Sequence, residues 1–128
     1  MSPKRGDRAA PPAIGDEFEI RLATTDSCAG WEHLAKQAPG NLHRAYDAIR
    51  ASPRATTNPD RQHRLKGQLA SMIWKGNTLE QWQYEVTGGG RIWYLIDDVQ
   101  RTVWIVHAGT GHPKLPISDP GGEFEKWG

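Results

Sequence analysis

Cysteine, long apolar runs and net charge are all scarce in this 128-residue sequence. Cys28 is the only cysteine, which excludes an intrachain disulfide and a cluster of thiolate metal ligands. The longest apolar stretches, residues 92–96 and 103–106, are far too short to cross a bilayer. The basic N-terminus has no apolar core of the kind that a signal peptide needs. The sequence therefore predicts a cytoplasmic protein without a membrane segment.

The formal net charge of +1 hides an uneven distribution. The middle of the chain carries six basic groups against one acidic group: Arg50, Arg54, Asp60, Arg61, Arg64, Lys66 and Lys75. A local excess of positive charge on a nearly neutral chain suits contact with phosphate groups. A solvated loop that happens to be basic is the alternative.

The first half of the chain predicts a tail, a strand and two helices. Residues 1–15 are rich in Pro, Ala and charge, which is typical of a flexible tail. Phe18, Ile20 and Leu22 then alternate with polar residues, the period of a strand with one buried face. Apolar residues at helical spacing over 28–38 and 42–49 predict two helices, with Thr25 or Asp26 as the first N-cap. The short break between them indicates an antiparallel hairpin.

The second half predicts a three-stranded meander. Residues 55–62 look like a loop, 64–69 a short strand and 71–79 an irregular connection. Residues 82–86, 91–96 and 102–107 have strand composition and are separated by tight turns. The segment 92–96 is apolar on both faces, as in a central strand covered on each side. Residues 16–115 are therefore expected to form one domain, followed by a C-terminal tail, 116–128.

Aromatic residues allow two interpretations. Trp82, Trp93 and Trp104 on the strands are expected to belong to the core, and base stacking is the alternative. Phe124 and Trp127 are the only apolar anchors of the C-terminal tail, and they dock either on the domain or on a partner.

The order strand, helix, helix, basic segment and meander resembles the RelE/ParE toxin superfamily, over roughly residues 17–114. Local motifs carry the same resemblance: Ala51-Ser52-Pro53-Arg54 after the second helix, Arg64-Leu65-Lys66-Gly67, the strand pair 82–86 and 91–94, the strand 102–107, and His112-Pro113-Lys114. The resemblance implies an α+β fold in which an N-terminal strand and a two-helix hairpin pack on an antiparallel β-sheet. It also implies a toxin of a type II toxin–antitoxin pair, with a cognate antitoxin as partner.

Many members of this superfamily are endoribonucleases, and the resemblance implies mRNA and the ribosome as further partners. Cleavage of RNA without a metal or another cofactor requires a base for the 2′-hydroxyl, cations at the phosphate and an acid for the leaving oxygen. Arg91 matches the superfamily's most recurrent arginine, and its guanidinium can hold two phosphate oxygens. His63 lies where some members carry the base, and His112 is the expected general acid.

Four further basic residues are expected to bind RNA phosphates: Lys66, Arg64, Lys114 and Arg61. For each candidate the alternative is an ordinary surface or turn residue. Zinc held by His107 and His112 is disfavoured, because no cysteine or close third ligand accompanies them. His107 is instead expected to face the sheet or the antitoxin.

Two departures from the superfamily pattern leave other functions open. Gln83 and Glu85 stand where ribonuclease members often carry basic residues, and Gly109-Thr110-Gly111 replaces the usual arginine of the last cluster. The ParE branch lacks the ribonuclease residues and poisons DNA gyrase, so a non-enzymatic inhibitor is the second hypothesis. A degenerate member that only binds an antitoxin or serves regulation is the third.

Overall fold

The computed structural model describes residues 4–9 and 11–110. In this range the chain forms two helices, one short 3-10 helix and a six-stranded sheet. The elements are β1 (Glu19–Leu22), α1 (Thr25–Gln37), α2 (Pro39–Ala51), β2 (Gln62–Arg64), the 3-10 helix (Gly67–Ala70), β3 (Ser71–Trp74), β4 (Asn77–Glu85), β5 (Gly90–Asp97) and β6 (Thr102–Thr110). The strand order is β1-β6-β5-β4-β2, and β3 also pairs with β4.

This architecture confirms the predicted α+β fold. The meander β4-β5-β6 is antiparallel, and β2 and β3 pair with β4 in the same sense. The N-terminal strand is part of the sheet and runs parallel to β6, because the helical hairpin carries the chain back across one face before the sheet continues. The sheet is therefore mixed. Among the described residues, no helix is long and apolar enough to span a membrane.

The N-cap of α1 lies one residue earlier than predicted. The Thr24 hydroxyl accepts a hydrogen bond from the Ser27 amide, and the Ser27 hydroxyl accepts one from the Thr24 amide. The Thr24 hydroxyl also donates to the carbonyl of Val106 on β6. Thr24 is preferred over Thr25 because the same side chain caps the helix and fastens it to the sheet. Asp26 consequently falls in the first turn of α1.

Residues 62–79 differ most from the prediction. β2 begins at Gln62, inside the expected loop, and the expected irregular connection is a β-hairpin made of β3 and β4. Its tight turn, Lys75-Gly76, has positive φ at both residues (50° and 84°). The hairpin was not predicted, because the first turn position is a lysine, whereas Asn or Asp is the usual signal for such a turn.

The sheet has an apolar core on each face. The core on the helix side includes Leu22, Leu34, Ile49, Trp82, Ile92 and Ile105. The second core lies on the opposite face and includes Met72, Trp74, Trp93, Leu95, Trp104 and Val106, with Leu65, Leu69 and Leu79 packed against it. The prediction that β5 is covered on both sides is confirmed. Trp82, Trp93 and Trp104 are all buried core residues, as expected.

Part of the expected N-terminal tail lies along β1. The amide of Gly6 donates to the carbonyl of Leu22, and the amide of Ala9 donates to the carbonyl of Ile20. Arg8 forms an isolated bridge with Arg21 and an ion pair with Glu19. These bonds cover the outer edge of β1, which would otherwise present unpaired backbone groups.

Candidate functional site

The candidate site lies on the sheet face that points away from the helices. The orientation of the Gln62 side chain shows that the residues on either side of it point to this face. The Gln62 side chain is buried on the helix side, where its amide group donates to the Ser52 carbonyl and to the Tyr94 hydroxyl, both at 3.0 Å. Successive side chains of a strand point to opposite faces. Arg61 and His63 therefore lie on the face that carries the second core.

A first row of residues crosses this face near the ends of the strands. Glu85 is the register partner of Arg91, which is the partner of Gly109. Arg61 continues the row, because its carbonyl accepts from the Glu85 amide at 2.7 Å and its guanidinium donates to the Glu85 carbonyl at 2.9 Å. We call this set, Arg61, Glu85, Arg91 and Gly109, the arginine row.

A second row lies on the same face, two residues further along each strand. His63 on β2 pairs with Gln83 on β4, which pairs with Trp93 on β5, which pairs with His107 on β6. The Trp93 indole donates to the Gln83 side-chain oxygen at 2.8 Å. The Trp93 and His107 rings meet edge to face, with centroids 6.2 Å apart. We call this set, His63, Gln83, Trp93 and His107, the histidine row.

The imidazole of His63 is held at one end of the histidine row. Its Nδ1 lies 3.0 Å from the carbonyl oxygen of Pro59, which can only accept. Nδ1 is therefore the donor, and in the neutral ring Nε2 is the acceptor nitrogen. The ring is half-buried, so this arrangement is compatible with the base predicted at this position.

The imidazole of His107 is held at the other end, and sequence reasoning did not include it among the catalytic candidates. Nδ1 of His107 lies 3.2 Å from a carboxylate oxygen of Asp26 in the first turn of α1. Nε2 is enclosed and has no hydrogen-bond partner among the described residues. Strict alternation along β6 would place His107 on the helix-side face with Val103 and Ile105, and the irregular pairing opposite Trp93 and Tyr94 moves it to the other face. The approach of α1 to β6 then creates the pair with Asp26.

The arginine row is not uniformly cationic. The carboxylate of Glu85 belongs to the residue between Arg61 and Arg91, and cross-strand neighbours on one face have Cβ atoms about 4.5–5.5 Å apart. One negative group thus partly offsets two positive groups. The row still carries a net positive charge, at the place where the superfamily resemblance implies phosphate binding.

Two predicted RNA-binding residues lie elsewhere. Arg64 pairs with Trp82, whose ring is in the helix-side core, and the Arg64 guanidinium donates to the Ala70 carbonyl and the Ser71 hydroxyl. Arg64 therefore fastens the 3-10 helix to β2. Lys66 is exposed immediately before that helix. His112 and Lys114 lie outside the described residues.

A cluster of metal ligands is not found in residues 4–9 and 11–110, where no group of three or more His, Cys, Asp and Glu side chains could hold an ion. The polar groups that the two rows bring together are guanidinium, imidazole, carboxamide and carboxylate groups. This set can bind an anion and exchange protons.

Comparison with known proteins finds its matches among solved structures. No family model matches the chain, and no curated protein matches it. A metal-bound toxin from Helicobacter pylori is similar, with a TM-score of 0.52 and 16% identity over 73% of this chain and 93% of that one.

Two further structures are similar to a lesser degree. The RelBE2 toxin–antitoxin complex from Mycobacterium tuberculosis has a TM-score of 0.47 and 20% identity over 74% of this chain and 99% of that one. A copper-bound mutant toxin from Helicobacter pylori has a TM-score of 0.49 and 14% identity over 73% of this chain and 93% of that one. The chain therefore shares the fold of the metal-bound Helicobacter pylori toxin, and this likeness extends to the fold alone.

Proposed function

We propose that this protein is the toxin of a type II toxin–antitoxin pair and acts in the cytoplasm as an endoribonuclease that cleaves mRNA on the ribosome without a metal. The observation that carries the proposal is the convergence of Arg61, His63 and Arg91 on one face of the sheet. These residues come from two separated stretches of the chain, and the strand pairing brings them to the same face.

The proposed reaction at this face is an in-line attack of a ribose 2′-oxygen on the adjacent phosphorus. Arg91 and Arg61 bind the phosphate oxygens and stabilise the negative charge that grows on them, which is commonly the largest contribution to such a reaction. An imidazole accepts the 2′ proton, and a second acid protonates the 5′-oxygen that leaves. His63 and His112 are the sequence-derived candidates for these proton transfers.

RNA has to approach from one end of the sheet face. The second apolar core occupies the part of the face beneath β3 and the 3-10 helix, where Trp74 contacts Trp104 with ring centroids 5.4 Å apart. The polar rows lie towards the other end. The polar rows occupy a limited stretch of the face, which suits contact with a short single-stranded segment around one phosphodiester, such as an mRNA presented on a ribosome.

The experiment is a primer-extension analysis of mRNA ends after brief induction in a bacterial host, with purified ribosomes and mRNA as the cell-free counterpart. The wild-type protein should generate new 5′ ends within coding regions, and Arg91→Ala should reduce them at least a hundredfold. Arg44→Ala, which removes an exposed arginine of α2, is the matched control and should cleave like the wild type. Intact mRNA during wild-type growth arrest would refute the nuclease proposal.

Inhibition of DNA gyrase is the second candidate, and Glu85 is the observation that favours it. A carboxylate between the two arginines weakens phosphate binding without preventing contact with a protein surface. In this case induction would trigger the DNA-damage response while mRNA stays whole, and Arg91→Ala would leave the growth arrest in place.

A further inference from the structure

We propose that His107, oriented by Asp26, is the general base that removes the 2′ proton, in place of His63. This inference rests on the proposed ribonuclease function and assigns one of its steps to a residue that the superfamily resemblance did not indicate. Three observations support it: the Asp26 contact, the enclosed Nε2 atom and the position of His107 relative to Arg91.

The Asp26 contact determines which nitrogen of His107 can act as base. The carboxylate oxygen lies 3.2 Å from Nδ1 and accepts a hydrogen bond from the Nδ1–H group. Nε2 is then the acceptor of the neutral ring, and the carboxylate stabilises the imidazolium that forms when Nε2 takes a proton. The same division of labour between carboxylate and imidazole activates nucleophiles in unrelated enzymes.

The second observation is that Nε2 lacks a partner. Residue His107 is only 7% exposed, and Nε2 makes no hydrogen bond within the described residues. A buried acceptor without a partner is costly, and native proteins tolerate few of them. A hydroxyl group of a bound ligand would satisfy this nitrogen, and the 2′-hydroxyl of RNA is such a group.

The third observation is the strand register. His107 is on β6, directly beside β5, and it is a diagonal neighbour of Arg91, so that their side chains start about 7–8 Å apart. His63 is on β2, two strands from β5, which separates it from Arg91 by about 10 Å across the sheet alone. A phosphate held by Arg91 is therefore closer to His107 than to His63.

The proposed step exchanges one phosphorus–oxygen bond for another and transfers one proton to His107. Nε2 of His107 takes the proton of the 2′-hydroxyl while the 2′-oxygen forms a bond to phosphorus. The bond from phosphorus to the 5′-oxygen breaks, and that oxygen receives a proton from a separate acid. The products are a 2′,3′-cyclic phosphate and a 5′-hydroxyl, with His107 left as an imidazolium that returns its proton to water.

Nε2 of His107 is buried in the free protein, so substrate binding has to expose it. The Asp26 side chain is 69% exposed, so the pair lies at the rim of the sheet and its carboxylate end already meets solvent. Catalytic hydrogen bonds are often incomplete in a free enzyme and form in the substrate complex. Movement of side chains around the His107 ring on RNA binding is therefore part of the proposal.

The test compares single-turnover cleavage of a short RNA by wild type, His107→Gln and Asp26→Asn, with ribosomes where cleavage requires them. His107→Gln should lower the rate about 100-fold to 10,000-fold, and Asp26→Asn should lower it by a smaller factor, because the exposed Asp26 carboxylate orients the ring without touching the substrate. Asp26→Glu, which keeps a carboxylate, should restore part of the rate that Asp26→Asn loses. For a pair with only a structural role, both folded Asp26 variants would cleave at the wild-type rate.

A substrate with sulfur in place of the 5′-oxygen separates the two proton transfers, since a thiolate leaves without protonation. The deficit of His107→Gln should persist with this substrate if His107 is the base. Full recovery of the rate would overturn the assignment. Circular dichroism of each variant checks folding, and if His107→Gln does not fold, the cleavage rates of Asp26→Asn and Asp26→Glu decide the question.

The chain offers a matched control pair. His43 and Asp47 on α2 also lie 3.2 Å apart, but His43 is largely exposed, Asp47 is partly exposed, and both are remote from the rows. His43→Gln and Asp47→Asn should cleave at the wild-type rate. If wild type cleaves RNA and His107→Gln cleaves equally well, only this inference fails. If wild type does not cleave RNA, the proposed function fails and takes the inference with it.

Discussion

Gly30 of α1 and Ala108 of β6 lie so close that a β-carbon at Gly30 would overlap the Ala108 carbonyl oxygen. The helix rests directly on the strand backbone at this point. The same close approach brings the first turn of α1 to β6, where Thr24 bonds to Val106 and Asp26 meets His107. The absence of a side chain at one helix position thus shapes one end of the candidate site.

Gly30→Ala should destabilise the protein. The added methyl group meets backbone that cannot rotate away, so α1 must move, at a cost of about 1–3 kcal/mol or more after any gain in helix propensity. Gly40→Ala in α2 is the control, because its β-carbon would come no nearer than 3.7 Å to a side-chain atom of Arg44. Urea unfolding should show this second variant to be unchanged or stabilised by up to about 1 kcal/mol.

Arg54 should stabilise the fold in a pH-dependent manner. Its guanidinium donates two hydrogen bonds to Asp98, at 2.9 and 2.7 Å, and one to Glu80 at 3.1 Å. These bonds from Arg54 hold the pKa of Asp98 below its ordinary value of 3.8. The stabilisation is therefore complete above that ordinary pKa and is lost as the pH falls through the lowered value.

Arg54→Met should cost about 1 kcal/mol near neutral pH, because the Asp98 side chain is 60% exposed and the pair is screened by solvent. The difference in unfolding free energy between wild type and variant should shrink below about pH 4. Urea titrations at several pH values measure it. A difference that grows as the pH falls would contradict this interpretation of the Arg54 cluster.

Tyr94→Phe should loosen the connection between β2 and β5. The buried Tyr94 hydroxyl donates to the Pro53 carbonyl at 2.7 Å and accepts from Gln62, the residue that fixes the orientation of Arg61 and His63. Burial raises the pKa of Tyr94, so the hydroxyl stays a donor throughout the neutral range. Loss of the hydroxyl should cost about 1 kcal/mol in thermal unfolding. Tyr84→Phe, on the neighbouring strand, should cost less than about 0.5 kcal/mol.

Cys28 should be unreactive in the folded protein. The thiol is buried against the sheet, and this burial, together with the charge of Asp7, raises its pKa. Thiolate is the reactive form, so a colourimetric thiol reagent should modify native protein far more slowly than urea-unfolded protein at pH 8. Equal rates would mean that α1 opens readily, which contradicts its close packing on β6.

Binding of RNA, apart from cleavage, should depend on Arg61. Arg61→Ala should weaken binding of a non-cleavable 2′-deoxy oligonucleotide and reduce the salt dependence of binding by about one unit of slope. Glu85→Gln, which removes the carboxylate between the arginines, should strengthen binding at low salt. Fluorescence anisotropy titrations over a range of salt concentrations measure both effects. Unchanged binding by both variants would exclude the arginine row as the RNA contact.

The meander and the helical hairpin could be predicted because their signals are local. The alternation around Trp82 and Tyr84 and the helical spacing of Leu42, Ala45 and Ile49 each occupy fewer than ten residues, and each period identifies one kind of element. The β3–β4 hairpin was missed because its turn carries Lys75 at a position that usually signals itself with Asn or Asp. The parallel pairing of β1 was not predicted either, because it joins residues some 80 positions apart.

The candidate site also has residues that could be proposed from local signals and residues whose placement depends on the tertiary structure. Arg91, Arg61 and His63 could be proposed from sequence, since residue type and strand position identify possible phosphate and proton-transfer groups. Arg64 looked equivalent to them until the structure showed its bonds to Ala70 and Ser71. Arg64 points to the opposite sheet face from Arg61 and His63 because of strand alternation. This could not be predicted, because the sequence did not define where β2 begins.

The sequence by itself determined the kinds of elements, their order and the chemical groups that one face of the sheet could carry. Only the tertiary structure decided which groups meet, because register and helix docking depend on contacts between residues far apart in the chain. Asp26 and His107 are 81 positions apart, and no local pattern connects them. They meet because Gly30 lets the helix lie on the strand, a consequence of packing that no segment of the chain specifies alone.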